Sequence, residues 1–264
     1  GQPYSRRRCH SLWNDLMALP SSGLIRLSQI QTEFGGSNPI GLSEYYRGGA
    51  NVTANNTSVP TSGSITLSNF RGSAKAYAVS YQIIGAGGAG GYGLSNGYSS
   101  TVAQSGTSSS LSGSGIATVT ASGGDGGGNA NQSPDPVKSP DGEASVYGAG
   151  GVSGNNKQSE PPNVGGHAPS SSYGAGGGAA GGDRSSTFDS SGGAGSPGSA
   201  GTYLTGTTNY LVPGATISVS IGSKGLGSGG NARGGDGANG YARLQVGNNV
   251  QQFTSGGTYT VPSQ

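Results

Sequence analysis

Apolar positions along this chain follow three rhythms, each predicting a different kind of element. In Ser11–Leu19, Leu12, Leu16 and Leu19 recur at helical spacing with Trp13 and Met17 beside them, which predicts a short amphipathic helix ended by Pro20. Trp13 and Met17 either pack internally or dock on a partner. A second rhythm, Ile-x-Leu-Ser-x-apolar, occurs at Ile25–Ile30, Ile40–Tyr45 and Ile65–Phe70, each copy shortly preceded by Gly or Pro. It predicts a brief strand with Ile and Leu on one face. The Ser then caps a turn or short helix carrying Ile30, Tyr45 or Phe70, with Ser28 and Gln31 at capping-box spacing. Two copies exit through Arg47-Gly48 and Arg71-Gly72, where glycine relieves backbone strain. Three copies suffice to build one small core. The third rhythm is that of strands: Tyr77–Ile84, Ile116–Ala121 and Ala215–Ile221, the last alternating Ile217, Val219 and Ile221 with serines. Phe253–Val261 also has strand character, and Tyr77–Ile84 is its expected partner.

From Gly85 onward glycine replaces these rhythms with one of its own. Runs stand at Gly85–Gly93, Gly123–Gly128, Gly148–Gly154, Gly174–Gly182, Gly192–Gly201, Gly222–Gly230 and Gly234–Gly240. Their phase is three. Gly85, Gly88 and Gly91 form one register, Gly87, Gly90 and Gly93 a second, and Ala86, Ala89 and Tyr92 the third. Gly192, Gly195, Gly198 and Gly201 keep the same spacing. A polyproline II helix has three residues per turn and no internal hydrogen bonds. Glycine at every third position gives it a bare edge, so that neighbouring backbones approach and bond to one another. Packed polyglycine II layers are therefore expected in place of a side-chain core. Collagen would need longer uninterrupted triplets rich in proline. The stretches between runs are polar and aromatic: Leu94–Ser110, Asn129–Tyr147, Asn155–Tyr173, Asp183–Ser191 and Thr202–Tyr210. They read as loops at the ends of the packed helices. The expected fold class is thus mainly β and irregular. Residues 1–75 make a small domain of short strands and turns, and residues 76–264 a glycine-rich domain of packed helices with a few strands.

Composition supports that division. Glycine supplies 56 of 264 residues, only 30% of the chain is hydrophobic and 9% is charged. A conventional core cannot run the whole length, while low charge and 13 tyrosines argue against simple disorder. Before Gly85 there are seven Lys/Arg against three Asp/Glu, and after it six against eight. Arg6–Arg8 is the one basic cluster, so the broad basic face of a nucleic-acid binder is missing. Cys9 is a lone cysteine and cannot form an intrachain disulfide. No apolar run reaches membrane-spanning length.

Motifs that could carry chemistry lack their context. Gly85-Ala-Gly87-Gly-Ala-Gly90 matches the dinucleotide fingerprint in letters, but Gly91-Tyr92-Gly93 forbids the required helix and no acid follows at the right distance. Gly93-Leu-Ser95-Asn-Gly97 matches a nucleophile elbow without strand or helix around it. Gly234-Gly235-Asp236-Gly237-Ala238-Asn239 resembles one isolated copy of a calcium-binding glycine repeat, which needs successive copies to complete a shell. No Cys/His cluster supports zinc. No catalytic residue, metal or cofactor is assigned.

The stretch Gln29-Ile-Gln-Thr-Glu-Phe-Gly35-Gly36-Ser37-Asn38-Pro39-Ile40, continuing through Leu42-Ser-Glu-Tyr-Tyr-Arg-Gly48-Gly49, resembles a segment recurrent in virion proteins of tailed bacteriophages. Ser62–Gly72 is similar to its usual continuation. From Tyr77 onward the chain resembles phage glycine-rich fibre-tip domains, through Ile83-Ile-Gly-Ala-Gly-Gly88, Val212–Gly222, Gly237-Ala-Asn-Gly-Tyr-Ala-Arg243 and Phe253–Pro262. In the tip adhesins of T-even-like phages, glycine-rich motifs on packed polyglycine II helices alternate with receptor-binding loops. The resemblance implies a virion protein of the tail fibre or tail tip, extracellular and not membrane-inserted. It joins other virion or fibre subunits through its N-terminal region and binds a host outer-surface protein or glycan through loops. This N-terminal region departs from that family's attachment region. The expected receptor contacts are Tyr98, Lys138, Asp141, Lys157, Glu160, His167, Tyr173, Arg184, Phe188, Tyr203 and Tyr210. The expected contacts to a partner subunit are Trp13, Leu16, Met17, Tyr45, Tyr46 and Phe70. The alternative is a purely structural subunit whose loops mediate self-assembly.

Overall fold

A computed structural model describes residues 19–91, 103–113, 115–128, 141–152, 165–179, 197–227 and 234–262. Among these, one α-helix, two 3-10 turns and eight strands in two sheets make a mainly β and irregular fold. The chain divides into two compact units. One comprises Gly1–Tyr77, Tyr210–Gly214 and Val261–Gln264, the other Ala78–Asn209 and Ala215–Thr260.

In the first unit each Ile-x-Leu-Ser copy becomes one short helical turn: α1 (Leu27–Phe34) and 3-10 turns at Leu42–Tyr45 and Leu67–Phe70. Each begins at the Leu, after an extended residue, so the Ser lies inside the turn and is not its cap. The cap comes from the variable position after it. Gln29, Glu44 and Asn69 each reach back three residues to accept the N–H of Arg26, Gly41 and Thr66, at 2.8, 2.9 and 2.8 Å. The turns deliver Ile30, Tyr45 and Phe70 to one core with Leu19, Ile25, Phe34, Val52 and Val59. Phe34, Tyr45 and Phe70 meet pairwise at ring-centroid separations of 6.1 to 6.4 Å, in tilted and edge-on geometry. Gly48 (φ 82°) and Gly72 (φ 68°) supply the left-handed exits. Asn56 is buried and pairs as a surrogate strand with Ala74, donating to its carbonyl and accepting its N–H at 3.0 Å each.

In the second unit the strands form two sheets. One is ordered β4 (Tyr203–Leu211), β1 (Tyr77–Ile84), β6 (Tyr241–Val246), β7 (Asn249–Phe253). The other is ordered β3 (Val119–Ala121), β2 (Ser109–Gly113), β5 (Thr216–Ser220), β8 (Gly257–Thr260). Val79, Ile83, Leu244 and Val246 are buried from the first sheet, and Leu111, Ala121, Ile217, Val219 and Tyr259 from the second. The chain end therefore does not pair with Tyr77–Ile84 as a single strand. Thr254–Gly256 breaks it in two, β7 joining β6 and β8 joining β5. The stretch Thr202–Tyr210 is a strand and not a loop. Ser109 joins the sheets: its Oγ donates to Ile84 O at 2.8 Å and accepts Gly222 N–H at 2.9 Å.

The glycine-rich chain between these strands is an array of laterally bonded segments. Segment 85–91 lies at the centre of a ring, and its amides donate in rotation. Gly85 and Gly88 donate to Thr202 and Ser199, Ala86 and Ala89 to Thr107 and Gln104, and Gly87 and Gly90 to Ala238 and Gly235, all at 2.8–3.1 Å. Its carbonyls accept from three more segments, through Gly124 and Gly127, Gly177, and Gly225. Three donor directions and three acceptor directions at a period of three define polyglycine II packing. The surrounding segments 103–107, 122–128, 197–202, 174–179, 234–240 and 222–227 also bond to one another around the ring. Segment 174–179 centres a second ring, which shares 85–91, 197–202 and 234–240 and adds 141–143, 150–152 and 165–168. The glycine phase follows from distance. A Cβ at Gly85, Gly88 or Gly91 would lie 2.0–2.1 Å from carbonyl oxygens of segment 122–128, and at Gly87 or Gly90 1.9 Å from those of segment 174–179. The third register holds Ala86 and Ala89, whose methyl groups are fully buried.

Gly90→Ala should therefore lower the melting temperature by more than ordinary overpacking, which costs about 1–3 kcal/mol, whereas Ala89→Gly should cost only about 1 kcal/mol. Thermal unfolding of the two variants compares them. In the first unit, Asn56→Ala leaves both Ala74 backbone groups unpaired and should destabilise by about 1–3 kcal/mol in a denaturant titration.

Candidate functional site

Strand direction decides which parts of the second unit share an end. Segments 103–107, 197–202 and 234–240 pair antiparallel with 85–91, while 122–128 runs parallel to it. The residue pairs linking 197–202 and 234–240 to 174–179 are also antiparallel, so 174–179 runs with 85–91. At one end β1 enters the array at Gly85, β5 enters near Gly222, and β4 and β6 leave after Thr202 and Gly240. At the other end the chain leaves at residues 91, 128, 152, 179 and 227 and re-enters at 103, 141, 165, 197 and 234. Five connections, residues 92–102, 129–140, 153–164, 180–196 and 228–233, thus begin and finish at the end away from the sheets. Of the expected receptor contacts, Tyr98, Lys138, Lys157, Glu160, Arg184 and Phe188 belong to these connections and lie outside the described residues. Asp141 stands exposed where the chain re-enters.

The other expected aromatic contacts, Tyr173, Tyr203 and Tyr210, are elsewhere. Tyr173 and Tyr203 belong to a cluster at the sheet end, with Tyr147 at its middle. The ring centroids of Tyr173, Tyr203 and Tyr241 lie 5.9, 6.1 and 5.0 Å from that of Tyr147, and Tyr173 stacks on Tyr241 at 4.7 Å. Each ring follows or precedes a glycine segment, so together they cover its termini. Tyr173 and Tyr203 are thus parts of the structure and are not loop contacts at the far end. Tyr210 lies in β4, exposed, with its carbonyl accepting from Asn55 Nδ2 at 2.5 Å. By composition the stretches around these tyrosines read as loops, so their place in the scaffold is not evident from sequence.

Lys224 and Asp236 form an ion pair in the second unit, with the His167 ring against Asp236. Lys224 Nζ meets Asp236 Oδ2 at 2.9 Å, and Asp236 Oδ1 accepts Gly227 N–H at 2.9 Å. His167 Nδ1 accepts Asp236 N–H at 3.0 Å, so that nitrogen carries no proton in this arrangement. The Asp236 carboxylate, the candidate ligand in the isolated glycine repeat, is thus committed to protein donors. No group of three or more metal-ligating side chains occurs among the described residues.

The expected partner contacts of the first unit divide. Tyr45 and Phe70 are fully buried and form the core, so they offer no docking surface. Tyr46 is half-buried and its hydroxyl donates to Gly63 O. Trp13, Leu16 and Met17 lie outside the described residues. No helix among the described residues is long and apolar enough to cross a membrane.

Compared with known proteins, the chain matches no family profile, no curated protein and no solved structure.

Burial, aided by Tyr203 and Tyr241 and opposed by Arg243, pushes the Tyr147 hydroxyl up to about 12. Its oxygen is buried without a hydrogen-bond partner. The folded state holds this proton more tightly than the unfolded chain, whose tyrosine titrates near 10. The associated stability is therefore complete below about pH 10 and is lost as pH rises through about 12. Tyr147→Phe should leave neutral-pH stability unchanged or raised, because it removes an unpaired buried hydroxyl. It should also flatten the alkaline loss, as followed by melting temperature against pH.

Proposed function

We propose that this chain is a tail-fibre or tail-tip protein of a phage virion that binds the host surface through the connections between its glycine segments. The observation that supports this reading is that all five such connections leave and return at one end of a rigid array, away from both sheets. That geometry brings the ends of five stretches distant in sequence to one end of the array. Their ends are fixed by backbone bonds that do not depend on loop composition. Lengthening a loop costs only about 0.6 kcal/mol per doubling, so the surface can vary while the array stays folded. The longer connections carry Tyr98, Lys138, Lys157, Glu160, Arg184 and Phe188, a mixture of rigid aromatic and adaptable polar groups suited to recognition. The ligand is a host outer-surface protein or glycan, and the N-terminal region joins other virion subunits.

Replacing residues 129–140 and 153–164 each by a short Gly-Ser link should abolish binding to host cells while leaving the melting temperature unchanged. If cell binding persists with both replaced, the surface lies elsewhere. If the wild-type protein self-associates and binds no cells, the structural-subunit reading takes its place.

A further inference from the structure

Away from the five connections, the second unit carries an open groove of about 470 Å³ on the flank of the array, towards the sheet end. Its volume falls within the roughly 300–1,000 Å³ of small-molecule sites. It is lined by Tyr173, Ser170, Ser171, Lys224, Asn239 and Thr254, together with Ala168, Gly237 and Ala238. These residues come from four separate parts of the chain. The turn joining segments 165–168 and 174–179 supplies the two serines and Tyr173, segment 222–227 supplies Lys224, segment 234–240 supplies Asn239, and the break between β7 and β8 supplies Thr254.

We propose that this groove binds a neutral saccharide. Charge selects against other ligands. No acidic side chain lines the groove. The one cation there, Lys224, is already paired with Asp236 at 2.9 Å. Neither a free cation nor a strong anion finds an uncompensated counter-charge. A purely apolar ligand would leave the hydroxyl and amide groups unpaired, which is costly once water is expelled. What remains is a ligand with many uncharged hydroxyl groups and one apolar face, which is the chemistry of a pyranose ring.

The groups are arranged for it. Tyr173 is held by its 4.7 Å stack on Tyr241 and by Tyr147 edge-on, so the aromatic wall is fixed before a ligand arrives. An aromatic wall receives the C–H face of a sugar. Asn239 is fixed too: its Oδ1 accepts Lys224 N–H at 3.0 Å, which leaves Nδ2 as a donor. Lys224 Nζ keeps further N–H donors beyond the one given to Asp236. Ser170, Ser171 and Thr254 are exposed hydroxyls that both donate and accept. The open side allows a chain of sugars to continue beyond the groove. The site is independent of the connections at the far end, so it stands whether or not those bind a receptor.

The test uses the full chain with neutral trisaccharides of glucose, galactose and mannose, a sialylated trisaccharide and inorganic phosphate, followed by saturation-transfer NMR and calorimetry. At least one neutral trisaccharide should bind. Ser171→Trp fills the groove from an exposed position and should abolish binding. Asn239→Asp keeps the acceptor for Lys224 N–H but loses the donor, and should weaken binding about tenfold, the worth of one hydrogen bond. Melting temperatures of both variants should match the wild type. A chain with residues 129–140 and 153–164 replaced should bind the sugar unchanged, which separates this site from the cell-binding surface. Binding of no neutral trisaccharide at millimolar concentration, or of the sialylated sugar or phosphate alone, overturns the proposal. So does binding that survives Ser171→Trp.

Discussion

The second unit depends on the distance at which two backbones can bond side by side when neither carries a Cβ between them. A single hydrogen bond contributes only about 0.5–1.5 kcal/mol net, less than or comparable to the cost of fixing one residue's backbone, and glycine has more freedom to lose than any other residue. One glycine segment alone would not order. Segment 85–91 orders because every amide from Gly85 to Gly90 finds a carbonyl on a neighbouring segment. Those neighbours are in turn bonded to each other and to a second ring. The close approach that glycine permits is also what buries Ala86 and Ala89 completely. Dispersion contacts from dense backbone thus take over work that side chains do in ordinary cores.

The two sheets and the tyrosine cluster complete what the array leaves open. A bundle of segments has termini where the rotation of donors and acceptors stops. At one end β1, β4, β5 and β6 continue the chain directly into ladders, Ser109 ties one sheet to the other, and four tyrosine rings cover the junction. At the opposite end the described segments lead into and out of the five connections. The molecule therefore separates a closed end, specified by packing, from an end whose composition the scaffold does not dictate. In the first unit the same economy appears on a smaller scale, with one turn motif used three times to bring Ile30, Tyr45 and Phe70 together.

Much of this was legible in the sequence because its signal is periodic. The phase of Gly85, Gly88 and Gly91 against Gly87 and Gly90 names two contact faces, and the alanines mark the third. Segments 103–107, 141–143 and 165–168 escaped notice because they lie at the edges of the rings, where fewer faces meet a backbone and one or two glycines suffice. Strand β2 hid within Ser109–Gly113, whose one large apolar residue is Leu111, and β4 hid in a polar, tyrosine-containing stretch. The turn caps were misassigned to serine since Gln29, Glu44 and Asn69 share no letter, only an oxygen at the same reach. For the candidate sites, sequence placed aromatics in loops by composition, but Tyr147-Gly148, Tyr173-Gly174 and Gly240-Tyr241 carried a usable sign: each ring adjoins a segment terminus. The groove was not legible at all, since its residues come from four separate stretches and meet only through the register of the array.

That three-residue rotation acts like a reading frame. Inserting or removing one residue within segment 85–91 would turn every later position by a third of a revolution. Alanine methyls would then point at carbonyls that tolerate only hydrogen, and three residues at a time is the smallest change that restores the facing. The connections at the far end lie between segments, so a change in their length does not shift the facing within a segment. Genetic change in a gene of this design is therefore channelled: codon-sized insertions and deletions survive between the segments, while within them only steps of three codons keep the frame.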